Sequence, residues 1–204
     1  MAKKKKARAK AKTKPKTKAK AKTKPKAKAA KSKAASKPKK KTVKASKAGA
    51  AALTRLTALP DMAVETTSGG RMKLSELKGK NVVLYFYPKD DTPGCTTEGC
   101  DIRDRYSEFQ RTDTVVLGVS RDRLDSHEEF KAKFGFPFEL VSDPEEKLCR
   151  AFDVMRKKSL YGKEYIGVDR STFVFDKSGK LRKEFRGVQV AGHAEELLKE
   201  LNNF

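Results

Sequence analysis

The 204-residue sequence predicts an α/β body, with a mixed central sheet flanked by helices, preceded by a disordered basic tail. The charge is divided unevenly: residues 1–49 carry 23 Lys/Arg and no Asp or Glu, while the other 155 residues carry 26 basic and 26 acidic side chains. Two unbroken apolar runs, Asn81–Tyr87 and Thr114–Ser120, suit strands buried on both faces, and each leads into a segment of helical periodicity. A hairpin pattern follows near the C-terminus.

Taken in order, the tail alternates Lys with Ala, Thr, Ser and Pro, and AKTKPKTKAK at 11–20 is nearly repeated at 21–30. It has no aromatic residue, and Pro15, Pro25 and Pro38 oppose a continuous helix. Such a segment cannot bury enough apolar surface to offset the entropy of ordering. Disorder is expected over residues 1–52, with a folded domain over 53–204. A solvated polycation attracts polyanions through counterion release. DNA is therefore the expected partner, through Lys3, Lys4, Lys5, Lys6, Lys39, Lys40 and Lys41; an anionic membrane surface, or no partner, are the alternatives. In a eukaryote the same runs would read as nuclear localisation patches. The uneven charge excludes a uniformly basic DNA-binding fold. No apolar run approaches the ~20 residues of a membrane span, and no apolar segment makes the N-terminus a secretory signal.

In the body, Ala63–Thr67 reads as a short strand before the turn Ser68-Gly69-Gly70. Asn81–Tyr87 is the first buried strand. Pro93 to about Arg111 reads as one helix with Ile102, Tyr106 and Phe109 on a common face. Thr114–Ser120 is the second buried strand, and Ser126–Phe134 a helix capped by Asp125. Phe138–Val141 reads as a strand and Lys147–Phe152 as a helical turn. Ser171–Asp176 and Leu181–Arg186 form a hairpin about Lys177–Lys180, and Ala194–Leu201 is the closing helix. Two βα units, a hairpin and a helix give a mixed sheet covered by helices, which periodicity alone reads as α/β; the arrangement resembles the thioredoxin-like fold.

The chemistry centres on cysteine. Three Cys are too few for a disulfide framework and leave at least one thiol unpaired, which points to a reducing compartment and a cytoplasmic location. Cys95 falls where the first buried strand hands over to its helix. Unpaired N–H groups and the helix dipole there favour a thiolate. Pro93 suits a first helical turn, and the Thr92 hydroxyl stands three residues before the sulfur.

The segment Pro88-x-x-x-Thr92-x-x-Cys95 resembles the active-site signature of the peroxiredoxins. The longer string YFYPKDDTPGCTTEGCDIRD is similar to their Q-type, or bacterioferritin-comigratory-protein, group. The likeness runs from about Leu59 to Leu201 and includes Asp169-Arg170-Ser171-Thr172-Phe173. It implies a thiol peroxidase acting on hydrogen peroxide and organic hydroperoxides, without a cofactor. By this resemblance Cys95 is the peroxidatic cysteine and becomes a sulfenic acid. Arg170 stabilises the thiolate, Thr92 orients the peroxide, Pro88 shields the sulfur, and Glu98 holds the arginine. Cys100 is then the resolving cysteine, forming a Cys95–Cys100 disulfide that thioredoxin or a similar dithiol protein reduces. The group also implies a monomer. The tail lies outside the resemblance and suggests a nucleoid-associated location.

Five residues along an intact helix separate Cα atoms by roughly 8–9 Å and about 140° of rotation, whereas a disulfide needs less than ~7 Å. The helix from Pro93 is therefore expected to unwind in each cycle, eased by Gly94 and Gly99. Cys149 reads as structural, with a spare resolving role as the alternative. His127 and His193 read as surface or capping residues, and no zinc spacing, phosphate loop or nucleophile elbow occurs. Two other classes compete with the peroxidase. One is a histone-like DNA-binding protein whose body is a redox module. The other is a general dithiol oxidoreductase, disfavoured because the cysteines are spaced C-x-x-x-x-C.

Overall fold

The computed structural model describes residues 56–160 and 162–204. The tail lysines and the expected domain boundary at 52/53 lie outside these residues. Nine strands and five α-helices follow one another among the described residues. Strand β1 (Ala63–Thr66) pairs antiparallel with β2 (Arg71–Lys73), and a 3-10 turn at Leu74–Leu77 leads into β3 (Asn81–Phe86). Helices α1 (Pro93–Asp104) and α2 (Tyr106–Arg111) precede β4 (Thr114–Ser120), α3 (Leu124–Phe134) and β5 (Glu139–Ser142). Then come α4 (Lys147–Ala151), the hairpin β6 (Met155–Leu160) and β7 (Lys163–Val168), the hairpin β8 (Ser171–Phe175) and β9 (Leu181–Arg186), and α5 (His193–Leu201).

Seven strands form one sheet in the order β2-β1-β5-β4-β3-β8-β9. The three inner strands β5, β4 and β3 run parallel, as their helical crossovers require, and antiparallel pairs complete both edges. The thioredoxin-like α/β expectation is met. Every residue of β3 is buried, and its side chains alternate between two cores. Val82, Leu84 and Phe86 face a core with Leu148, Cys149, Phe152 and Phe173. Val83, Tyr85 and the following Tyr87 face the other, with Cys95, Ile102, Phe109, Phe130 and Leu197. Cys95 and Cys149 therefore lie on opposite faces of the sheet.

Several boundaries differ from expectation. The helix from Pro93 breaks at Arg105, which bonds Glu195 at 2.7 Å, and restarts at Tyr106; Ile102 and Phe109 still share the buried face. Helix α3 starts at Leu124 with Arg123 at its cap. Asp125 instead lies in the first turn, where its carboxylate takes the Ser126 N–H at 3.1 Å and faces the positive end of the helix. The β6–β7 hairpin forms a separate two-stranded sheet that the sequence reading missed. Residues 163–166 of β7 are exposed, so the apolar alternation that betrays a strand is absent. Among the described residues no helix is long and apolar enough to cross a membrane.

Candidate active site

Thr92 is the extended N-cap of α1, and Pro93 is its first helical residue. The first closed turn is Thr96 N–H to Thr92 carbonyl, at 2.8 Å, which leaves the Gly94 and Cys95 N–H groups without partners inside the helix. Those free N–H groups and the positive end of the helix dipole lie beside the Cys95 sulfur. Cys95 is 2 % exposed and borders the core under α1.

Arg170 immediately precedes β8, and the pairing of Ser171 with Phe86 sets it beside the chain that leaves β3. Its carbonyl takes the Val188 N–H at 3.0 Å, which fixes the backbone. Its Nη2 donates to Cys95 Sγ at 3.3 Å, and its Nη1 pairs with Glu98 Oε2. The guanidinium thus spans the sulfur and a carboxylate one helical turn further along α1. Glu98 is 2 % exposed, and its other oxygen, Oε1, is buried without a hydrogen-bond partner. Burial pushes the Glu98 carboxyl up to about 7, against the opposing pull of Arg170.

The structure brings Cys95, Arg170 and Glu98 together. The Thr92 hydroxyl does not reach the sulfur; it donates to the Lys89 carbonyl at 3.1 Å. Pro88 is half-buried at the start of the same loop. Cys100 is half-buried further along the unbroken α1, and all three cysteines are free thiols. With Cys95 and Cys100 on one intact helix, the spacing forbids a bond in this conformation.

Gly94 and Gly99 have roles beyond weakening the helix. A Cβ on Gly99 would stand 2.6 Å from Cζ of Phe136, so this glycine seats the buried Phe136 ring against α1. Cys149 is buried in the opposite core, and burial together with Asp143 pushes its thiol up, away from reactivity. The sheet between it and Cys95 removes the spare resolving role. Among the described residues no group of three or more metal-binding side chains gathers.

Both histidines contradict the surface reading. His193 is buried against the Phe185 ring, with Nε2 at 2.9 Å from the Thr172 hydroxyl, and burial lowers its affinity for a proton. His127 is buried beside Asp90, Tyr87 and Ser126, a cluster that sequence reasoning did not assemble. The available signal was the spacing of His127, Phe130 and Phe134, which sets all three on the core-facing side of α3.

A family model described as the AhpC/TSA family matches residues 56–184. A relative named Peroxiredoxin Bcp, from Bacillus subtilis, is 51 % identical over 144 residues, which cover 71 % of this chain and 92 % of that protein. A protein of the same name from Xanthomonas campestris is 48 % identical over 141 residues, covering 69 % and 88 %. The solved structure of a Xanthomonas campestris bacterioferritin comigratory protein, described in terms of alkyl peroxide reduction, is similar at TM-score 0.69 and 44 % identity. It covers 73 % of this chain and 98 % of that one.

Proposed function

The chain belongs to the AhpC/TSA family and is a Q-type peroxiredoxin, a thiol peroxidase, and we propose that Cys95 is its peroxidatic cysteine. The observation that carries this assignment is the Arg170 Nη2 at 3.3 Å from a sulfur in the first turn of α1. The thiolate attacks one peroxide oxygen. An S–O bond forms, the O–O bond breaks, and the departing hydroxide or alkoxide takes a proton to leave as water or alcohol. Sulfur is oxidised to a sulfenic acid as the peroxide is reduced.

Arg170 stabilises the thiolate and the charge that develops on the peroxide, with its fork held by Glu98. Thr92 orients the peroxide once its hydroxyl turns from the Lys89 carbonyl, and Pro88 limits water at the sulfur. Organic hydroperoxides join hydrogen peroxide as substrates, in line with the alkyl peroxide reduction ascribed to the Xanthomonas relative.

Cys100 resolves the sulfenic acid: its sulfur attacks the Cys95 sulfur, an S–S bond forms and water leaves. The first turns of α1 must unwind for this, which includes lifting Gly99 away from Phe136. Thioredoxin or a similar dithiol protein then reduces the disulfide. The working unit is a monomer in the cytoplasm.

The basic segment supports a second, additive role. Residues 1–49 hold 23 cations and no anion, which suits sequence-independent binding to DNA and a place near the nucleoid.

Peroxide consumption by wild type, Cys95→Ser and Cys100→Ser, with mass spectrometry of the products, tests the assignment. Cys95→Ser should be inactive. Cys100→Ser should consume one equivalent and stall as sulfenic acid or over-oxidise. Sustained turnover by Cys95→Ser would overturn it.

A further inference from the structure

We propose that the buried His127–Asp90 pair is a latch that holds the Cys95 loop in its peroxide-reactive form and must open before Cys95 can meet Cys100. The proposal rests on the assignment of Cys95 above. Asp90 lies in the loop between β3 and α1, two residues before the Thr92 cap. It is 6 % exposed, and His127 on α3 is fully buried.

The contacts hold the imidazole at both ring nitrogens. His127 Nδ1 is 2.9 Å from Asp90 Oδ2, and Nε2 is 3.1 Å from the Val141 carbonyl of β5. Both partners are acceptors. The Tyr87 hydroxyl also lies 3.3 Å from Nδ1, so the ring is engaged at both nitrogens. Asp90 in turn accepts from the Tyr87 hydroxyl at 2.7 Å and from the Ser126 hydroxyl at 2.7 Å. Burial pushes the Asp90 carboxyl up, but the contact with His127 first, and the Ser126 and Tyr87 hydroxyls after it, outweigh burial and hold the group below the usual range. The result is a buried carboxylate–imidazole pair whose polar atoms are engaged by neighbours.

The latch also reaches the backbone. The Asp90 N–H donates to Asp122 Oδ2 at 2.8 Å, and the same oxygen takes the Ser120 hydroxyl at 2.7 Å. The Lys133 ammonium lies 2.6 Å from Asp91 Oδ2. Asp91 itself sits at φ +50°, a left-handed conformation that is strained for a non-glycine residue and persists only where neighbours impose it. The loop is thus pinned at Asp90 to β4, α3 and β5 together, and it relaxes at Asp91 when the pin is drawn. The pin stands five residues upstream of Cys95. It sets the point from which α1 can peel away.

A latch moves the two halves of the cycle in opposite directions, whereas a merely structural contact does not. Asp90→Asn and His127→Gln should slow sulfenic acid formation and speed disulfide formation, each about tenfold. Ser126→Ala removes one hydrogen bond and should act in the same sense by about threefold, and it serves if the first two fail to fold. Sulfenic acid formation is read by quenched mass spectrometry in Cys100→Ser, and the disulfide in the parent chain. Sulfinic acid at high peroxide should fall in the variants. Amide exchange across residues 93–100 should quicken. Both rates falling together, or neither rate changing, overturns the latch. Cys95→Ser remaining inactive in that same set would leave the peroxidatic assignment standing, so the two failures separate.

Discussion

Gly94 leaves Arg170 its route to the sulfur: a Cβ at Gly94 would lie 3.2 Å from Nη2, the nitrogen that stands 3.3 Å from Cys95 Sγ. The guanidinium cannot simply swing aside, because its other nitrogen is tied to Glu98. Gly94→Ala should therefore lower kcat/KM for peroxide by about threefold, through displaced donor geometry. Thermal stability should hold or rise, since alanine is the better helix former by up to ~1 kcal/mol. Unchanged peroxide kinetics in Gly94→Ala would show that the close approach is not used.

Glu98 predicts a pH dependence of stability. Its carboxyl titrates near 7 in the folded protein, above its ordinary value of 4.5. The folded state therefore holds the proton more tightly than the unfolded state. The stabilisation is complete below about 4.5, declines as pH rises, and is gone above about 7. At ~1.4 kcal/mol per unit the loss approaches about 3 kcal/mol. Urea titrations of wild type and Glu98→Gln at pH 4.5 to 8 measure it. The wild-type curve should fall relative to the variant, and parallel curves would contradict the assignment.

Arg170→Gln removes the partner of a buried carboxylate as well as the donor to the sulfur. Peroxide kcat/KM should drop about 100-fold or more. Stability should drop by about 3 kcal/mol at pH 8 and by less at pH 5, where Glu98 can take a proton. A uniform stability loss across that range would place the damage elsewhere.

Gly99→Ala tests the seat of Phe136. The contact at 2.6 Å is with a ring enclosed by Phe130, Phe134 and Phe138. Overpacking should cost about 1–3 kcal/mol, exceeding the ~1 kcal/mol gained from helix propensity. Chemical denaturation reads the difference, and a more stable variant would show that the ring yields freely.

Alkylation separates the thiols. In the reduced protein at pH 8, Cys149 should resist iodoacetamide, because burial beside Asp143 keeps it protonated. Cys149→Ala should retain full peroxide turnover.

Much of this was legible in the sequence. The apolar runs at Val82–Phe86 and Val115–Val119 announce buried strands, and the Cys95 turn announces its chemistry, because local pattern suffices for both. Arg170 was found through the peroxiredoxin resemblance, and its distance from Cys95 in the chain is closed only by the β3–β8 register. The His127–Asp90 contact spans 37 residues and joins two polar side chains. Hydropathy cannot foresee such a pair, because polarity alone argues for exposure. The β6–β7 hairpin is hidden for a different reason: residues 163–166 of β7 are exposed and carry no apolar period to read.

The position of the sheet between Cys95 and Cys149 gives the molecule a built-in record of its own history. A crosslink involving Cys149 cannot arise while the seven strands remain closed. A purified sample that shows one, on non-reducing mapping, contains chains that lost their fold and were oxidised before they regained it. Ordinary cycling, however prolonged, leaves no such mark.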